Sequence, residues 1–210
     1  MNSISHAAKF RKALETNAAA YGVTLTAEAV EGLANYYEIL NLWNSRLHLV
    51  APSWPIVFAT RHILESLVLL EYLPIGARIA DVGSGAGLPM IPCLIARPDL
   101  EAVLIEASGK KAVFLREALG KTSTSKRATV IADRFENVVA PDVGFVTCRA
   151  LEHFKKMLPE LLQWAPPTTT FLLFGGEGLR KEIENAGFTI MPTLLPNSER
   201  RFLFVVTKAE

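Results

Sequence analysis

The residues best suited to chemistry stand together at Asp81-Val82-Gly83-Ser84-Gly85-Ala86-Gly87, directly after the apolar run from Arg78 to Val82. Glycines at the carboxyl end of a strand let the backbone turn sharply and lie close to a ligand, where open α/β sheets bind ligands. Pro89 suits the first turn of a following helix, whose N-terminus is partially positive. The dinucleotide fingerprint requires a third glycine three residues after the second. Leu88 holds that position, so the spacing is Gly-x-Gly-x-Gly instead. Asp81, just ahead of Val82-Gly83, favours a ligand carrying an ammonium group over one carrying a pyrophosphate. Glu106 ends the next apolar run, where an acid in a nucleoside-binding domain accepts hydrogen bonds from the ribose hydroxyls. A plain surface acid is the alternative for Glu106.

An ammonium group, a ribose and no phosphate describe S-adenosylmethionine. A third apolar run ends near Asp133 and leads into Arg134-Phe135-Glu136. The backbone there is placed to read adenine, with Phe135 packed beside the base. Arg149 follows the fourth run, where this architecture brings a substrate beside a reacting group. Arginine is always cationic and cannot act as a base. Arg149 therefore holds a carboxylate, pins a phosphate, or forms an ion pair that organises the sheet edge. His6, His48, His62 and His153 are scattered without metal-ligand spacing, so no metal is expected. A buried or capping role for His62 stands beside a catalytic one.

A sheet must position these residues. Apolar runs at Arg78–Val82, Ala102–Ile105, Thr129–Ala132, Phe145–Cys148 and Thr170–Phe174 alternate with helical stretches such as Lys111–Leu119 and Phe154–Trp164. That alternation predicts a parallel sheet covered on both faces. At the end, Phe188–Leu195 and Arg201–Thr207 are separated only by a turn at Asn197-Ser198-Glu199. They predict a terminal hairpin and one antiparallel strand in a sheet of about seven strands. Before Pro74 the pattern is helical. Leu33, Tyr36, Tyr37 and Leu40 form one apolar stripe, Ile63, Leu64, Leu67 and Leu70 another, and Thr26 reads as a helix cap. The expected organisation is a helical extension over 1–73 and a sheet unit over 74–210.

The 210 residues are 50% hydrophobic and 20% charged, an ordinary balance for a cored domain. No apolar run reaches the roughly 18 residues of a membrane span, and the first residues lack a secretory pattern. A cytoplasmic location is expected, with Cys93 and Cys148 as buried thiols. The net charge of +1 gives no general affinity for nucleic acid. Any basic face must come from local pairs such as Arg11/Lys12, Lys110/Lys111 and Arg200/Arg201.

Together these segments resemble the small-subunit ribosomal RNA guanine-N7 methyltransferase family, also called glucose-inhibited division protein B. The similarity runs from about Leu40 to the C-terminus. It is carried by Leu42-Trp43-Asn44, His48-Leu49, Arg61-His62-Ile63-Leu64-Glu65-Ser66, the glycine loop with Leu88-Pro89, and Glu106 with Gly109-Lys110-Lys111. Phe114-Leu115-Arg116, Arg134-Phe135-Glu136 and Cys148-Arg149-Ala150-Leu151 complete it. Glu65, Met90 and Phe174-Gly175-Gly176 depart from the usual Asp, Gly and Leu-Lys-Gly.

The resemblance implies a Rossmann-like class I methyltransferase fold, S-adenosyl-L-methionine as cofactor, and ribosomal RNA or the small ribosomal subunit as partner. A monomer is the working expectation. It further implies that Gly83 and Leu88 line the methionine side of the cofactor, that Phe135 and Glu136 flank its adenine, and that Arg149 reaches into the pocket. Two other readings share the glycine loop: a methyltransferase acting on a small molecule, and a cofactor-binding assembly factor without catalysis.

Overall fold

The computed structural model describes residues 5–149 and 154–208. Ala150, Leu151 and His153, and the side chains of residues 154–156, lie outside the described part. Seven strands form one sheet: β1 (Arg78–Val82), β2 (Glu101–Ile105), β3 (Ala128–Ile131), β4 (Phe145–Arg149), β5 (Thr170–Gly175), β6 (Phe188–Leu194) and β7 (Phe202–Lys208). Their order is β3-β2-β1-β4-β5-β7-β6. The first five pair in parallel, and β7 runs antiparallel between β5 and β6. The terminal hairpin is present as expected. Strand pairing begins at Phe202 because Arg201 closes the turn: its N–H donates to Ser198 Oγ and its carbonyl accepts from Leu195 N–H.

Helices cover both faces, as a parallel sheet requires. The first two are α1 (His6–Asn17) and α2 (Ala27–Leu47). The hydroxyls of Ser5 and Thr26 cap them by accepting from Ala8 N–H and Ala29 N–H. Next come α3 (Pro55–Phe58), a π-helical turn (Ala59–Leu64), α4 (Glu65–Leu67) and a 3-10 turn (Val68–Tyr72). Within the sheet unit lie α5 (Met90–Ala96), α6 (Gly109–Lys121), α7 (Phe154–Trp164) and α8 (Glu177–Asn185).

Side-chain alternation along β1 divides the core in two. Ile79 faces a cluster shared with Phe10, Leu33, Tyr36, Ile63 and Leu67, so the helices before β1 pack into the core of the sheet. Ala80 and Val82 face the opposite cluster, with Leu158 and Leu161 of α7. The chain order reverses at β1, whose neighbours are β2 and β4. Such a switch point opens a crevice at the carboxyl ends of the strands.

Candidate functional site

A cavity of about 750 Å³ opens at that crevice. Its floor is the loop after β1. Gly83, Gly85 and Gly87 all have positive φ, at 71°, 51° and 81°. At Gly83, which lines the cavity, a β-branched residue would be strained. At Gly87 an added Cβ would stand 2.4 Å from Ile91 Cδ1, so glycine also permits close packing there. Leu88 completes this wall. Pro89 precedes α5 and does not form its first turn.

Glu106 lines the cavity beside the glycine loop. One carboxylate oxygen accepts from Gly85 N–H and the other from Ser108 N–H, both at 2.8 Å. Each oxygen keeps lone-pair capacity for a further donor, which is what a ribose diol requires. Ser108 also caps α6, and Lys111 in the first turn of that helix lines the same cavity. On the next strand end, the Asp133 carboxylate accepts from Arg134 N–H and Asn137 Nδ2. These bonds hold its pKa below the usual range and fix the turn that presents Phe135 and Glu136 to the cavity. Phe135 is otherwise buried, with its ring edge-on to Trp164 at 5.7 Å.

Asp81 sits behind this wall and does not line the cavity. Alternation turns it to the same face as Ile79. It is fully buried, and neither carboxylate oxygen has a hydrogen-bond partner among the described residues. Burial pushes its pKa up to about 8, opposed by the nearby Ser84 hydroxyl. The Tyr36 hydroxyl, from α2, donates to the carbonyl of Ala86 and ties the N-terminal helices to the glycine loop.

Arg149 reaches the cavity from the end of β4. Its guanidinium donates to the carbonyls of Arg61 (2.7 Å) and His62 (3.3 Å), to Ser66 Oγ (2.9 Å) and to Glu65 (3.3 Å). It also lies 5.4 Å over the Phe174 ring, so the phenylalanine that departs from the family pattern supports this arginine. Glu65 is fully buried and takes a second partner, Arg201, at 2.7 Å. The carbonyls of Arg61 and His62 belong to the π-helical turn, a distortion frequent at functional sites. His62 lines the cavity, and burial together with the charges of Arg149, Arg61 and Arg201 lowers its pKa to about 4.

The cavity thus gathers Gly83, Gly85, Leu88, Glu106, Phe135, Glu136 and Arg149, while Asp81 stands behind it. Val50, Ala51, Ser108 and Met157 also line it and were not singled out in the sequence. Leu49 and Lys111, which line it too, stood there only as carriers of the family resemblance and, for Lys111, as half of a basic pair. Lys111 had a signal, a cation one turn after Glu106 at a helix start. Val50 and Ala51 had none, because an irregular loop carries no periodicity. Among the described residues no group of three or more acidic, histidine or cysteine side chains is arranged to hold a metal.

Fold and cavity together define a Rossmann-like methyltransferase. A solved structure of an S-adenosylmethionine-dependent methyltransferase from Aquifex aeolicus superimposes with a TM-score of 0.55 at 20% identity, covering 81% of this chain and 97% of that one. The chain belongs to the GidB family, rRNA small subunit methyltransferase G, whose model matches residues 29–197. The match begins earlier than Leu40 and takes in most of α2. The ribosomal RNA small subunit methyltransferase G of Sorangium cellulosum (strain So ce56) is 36% identical, covering 82% of this chain and 74% of that protein. Its counterpart in Xanthomonas axonopodis pv. citri (strain 306) is 35% identical over 99% of this chain and 100% of that protein.

Proposed function

We propose that this protein transfers a methyl group from S-adenosylmethionine to N7 of a guanine in small-subunit ribosomal RNA. The observation that carries this reading is membership of the methyltransferase G family along most of the chain. The cavity supports it. Gly83 and Leu88 would hold the methionine portion, Glu106 the ribose, and Phe135 and Glu136 the adenine. Asp81, buried with its carboxylate oxygens lacking partners, suits a nearby ammonium group. When bound, this cofactor supplies a methyl group activated on a sulfonium.

Guanine N7 has a lone pair at neutral pH, so it accepts a methyl group without a base. The protein's task is alignment and the exclusion of water. Arg149 is spread over four partners in residues 61–66, which suits it to position the π-helical turn and His62 at the cavity mouth. His62 is neutral at pH 7 and can accept or donate a hydrogen bond to a base edge. The helical extension 1–73 would face the RNA and the unit 74–210 would hold the cofactor. The protein would act as a monomer in the cytoplasm.

The test is methyl transfer from labelled cofactor to small-subunit RNA, set against a panel of metabolites. Label should enter RNA at a guanine whose N7 methylation shows as induced strand cleavage. Turnover on metabolites alone, or cofactor binding without transfer, would overturn the reading.

A further inference from the structure

A second depression of about 400 Å³ is lined by Lys9, Lys12 and Thr16 of α1 and by Trp54 and Ile56. Trp54 is 73% exposed and Ile56 is 56% exposed, large apolar surfaces for a protein to leave in water. Lys9, Lys12 and Thr16 follow helical spacing, so they share one face of α1. Among the described residues no acidic side chain lines the groove.

The groove is joined to the cavity by one short loop. Leu49, Val50 and Ala51 line the cavity, and Trp54 lies three residues further on. Three residues span at most about 11 Å between Cα atoms, which is about three stacked nucleotides at 3.4 Å each. Asn44 holds the loop in place. Its amide donates to the Val50 carbonyl and its carbonyl accepts from Val50 N–H, each at 3.0 Å. This gives the Leu42-Trp43-Asn44 motif a physical role that the cofactor pocket leaves unexplained. The π-helical turn beyond α3 carries the exposed Arg61, whose charge reaches His62 and Arg149 at the cavity.

We propose that this groove is a second RNA-binding site, in which a nucleotide a few positions from the methylated guanine stacks on Trp54 while Lys9 and Lys12 meet its phosphates. The proposal rests on the functional reading above and names where the substrate strand runs. An aromatic platform flanked by amines is how single-stranded nucleic acid is held without regard to sequence. A second copy of the chain fits less well. It would desolvate two lysines with no acid opposite, over a patch of a few residues, whereas stable interfaces bury about 800 Å² per partner.

The experiment uses the full chain with a single-stranded small-subunit RNA fragment. Three variants are compared with wild type: Trp54→Ala, Trp54→Phe, and Lys9→Ala combined with Lys12→Ala. Trp54→Ala should weaken RNA binding and raise the KM for RNA by about 5- to 150-fold, the range for loss of one stacked base. Trp54→Phe should restore most of it, and cofactor affinity should be unchanged in all three. The double lysine variant should flatten the log–log salt dependence by about 1.4, at about 0.7 per phosphate. Fluorescence quenching by RNA should be strong in wild type and largely lost in Trp54→Phe, since Trp43 and Trp164 are only half-exposed.

RNA affinity and KM equal to wild type in all variants would overturn the proposal while leaving methyl transfer in place. A wild-type dimer that Trp54→Ala converts to monomer would overturn it in favour of a second copy on this face. Failure of the wild-type protein to methylate RNA would instead remove the functional reading, and this site with it.

Discussion

The guanidinium of Arg149, at the end of the fourth strand, lies 3.3 Å from the carboxylate of Glu65 in the helical extension, and Arg201 lies 2.7 Å from the same carboxylate. One buried anion thus joins three segments far apart in the sequence at the rim of the cavity. Removing one partner from a buried ion pair leaves an uncompensated charge and costs about 3–5 kcal/mol. Glu65→Gln should therefore lower thermal stability sharply, because two guanidinium groups lose their counter-charge. Arg149→Ala frees Glu65 only in part, since Arg201 remains. It should fold, with transfer reduced more than cofactor affinity. A stable Arg149→Ala variant with wild-type transfer would remove Arg149 from the site.

Glu106 braces the glycine loop and is placed to hold the ribose. Glu106→Gln tests both roles in one substitution. An amide has a single acceptor oxygen, so one of the Gly85 and Ser108 N–H groups loses its partner. A charge-assisted bond is worth about 1.5–3 kcal/mol, so cofactor affinity should fall by about 10- to 150-fold, with a measurable loss in Tm. Calorimetric affinity equal to wild type would show that Glu106 serves the loop alone.

Two buried groups give stability opposite pH dependences. Burial raises Asp81 from its ordinary 3.8 to about 8, so between these values the folded state holds a proton that the unfolded chain has lost. Stability from Asp81 falls as pH rises through that window. His62 is lowered from 6.5 to about 4, so between these values the unfolded chain holds the extra proton. Stability from His62 rises with pH there and is level above 6.5. The decline from pH 6.5 to 8 should therefore belong to Asp81 and be flattened in Asp81→Asn. Denaturant unfolding at pH 6.5 and 8.5 reads the difference, and parallel loss in wild type and variant would refute it. If the cofactor's ammonium settles near Asp81, binding at pH 7 should also release a proton. Calorimetry in two buffers of different ionisation enthalpy detects it.

The sheet was legible because its signals are local. Arg78–Val82 and Phe145–Cys148 are apolar runs that end in turn residues, and the turn at Asn197 announces the antiparallel β7. The glycine loop and Glu106 were legible for the same reason, since strand ends carry ligand contacts. The second apolar stripe was read less well. Ile63, Leu64 and Leu67 are buried as expected, but Leu70 is only half-buried, because the segment passes from a π-helical to a 3-10 turn and the stripe drifts. That irregularity serves tertiary bonds to Arg149, and its partner lies more than 80 residues away. Spacing within one segment does not encode such a contact. Asp81 shows the same limit: its position marked the loop, while its full burial is set by distant segments, Tyr36 of α2 and Cys93 of α5 being near enough to feel its charge.

The last prediction concerns how the helical extension supports the glycine loop. Tyr36, fully buried on α2, donates its hydroxyl to the carbonyl of Ala86, next to Gly85 in the cavity wall. The extension and the sheet also share one hydrophobic cluster, in which Phe10 and Leu33 lie with Ile79 and Leu203. The change of texture near Pro74 therefore divides labour between two parts that should unfold together. Calorimetry should show one transition with equal calorimetric and van't Hoff enthalpies, and two separated transitions would refute this. Tyr36→Phe keeps the ring and removes only the donor. Leaving a buried carbonyl without its partner costs about 1–3 kcal/mol, at about 2–4 °C of Tm per kcal/mol for a chain of this size. Because Ala86 also lines the cavity, cofactor affinity should fall along with Tm. A Tyr36→Phe protein with lowered Tm and unchanged cofactor affinity would show that the extension stabilises the fold without shaping the loop.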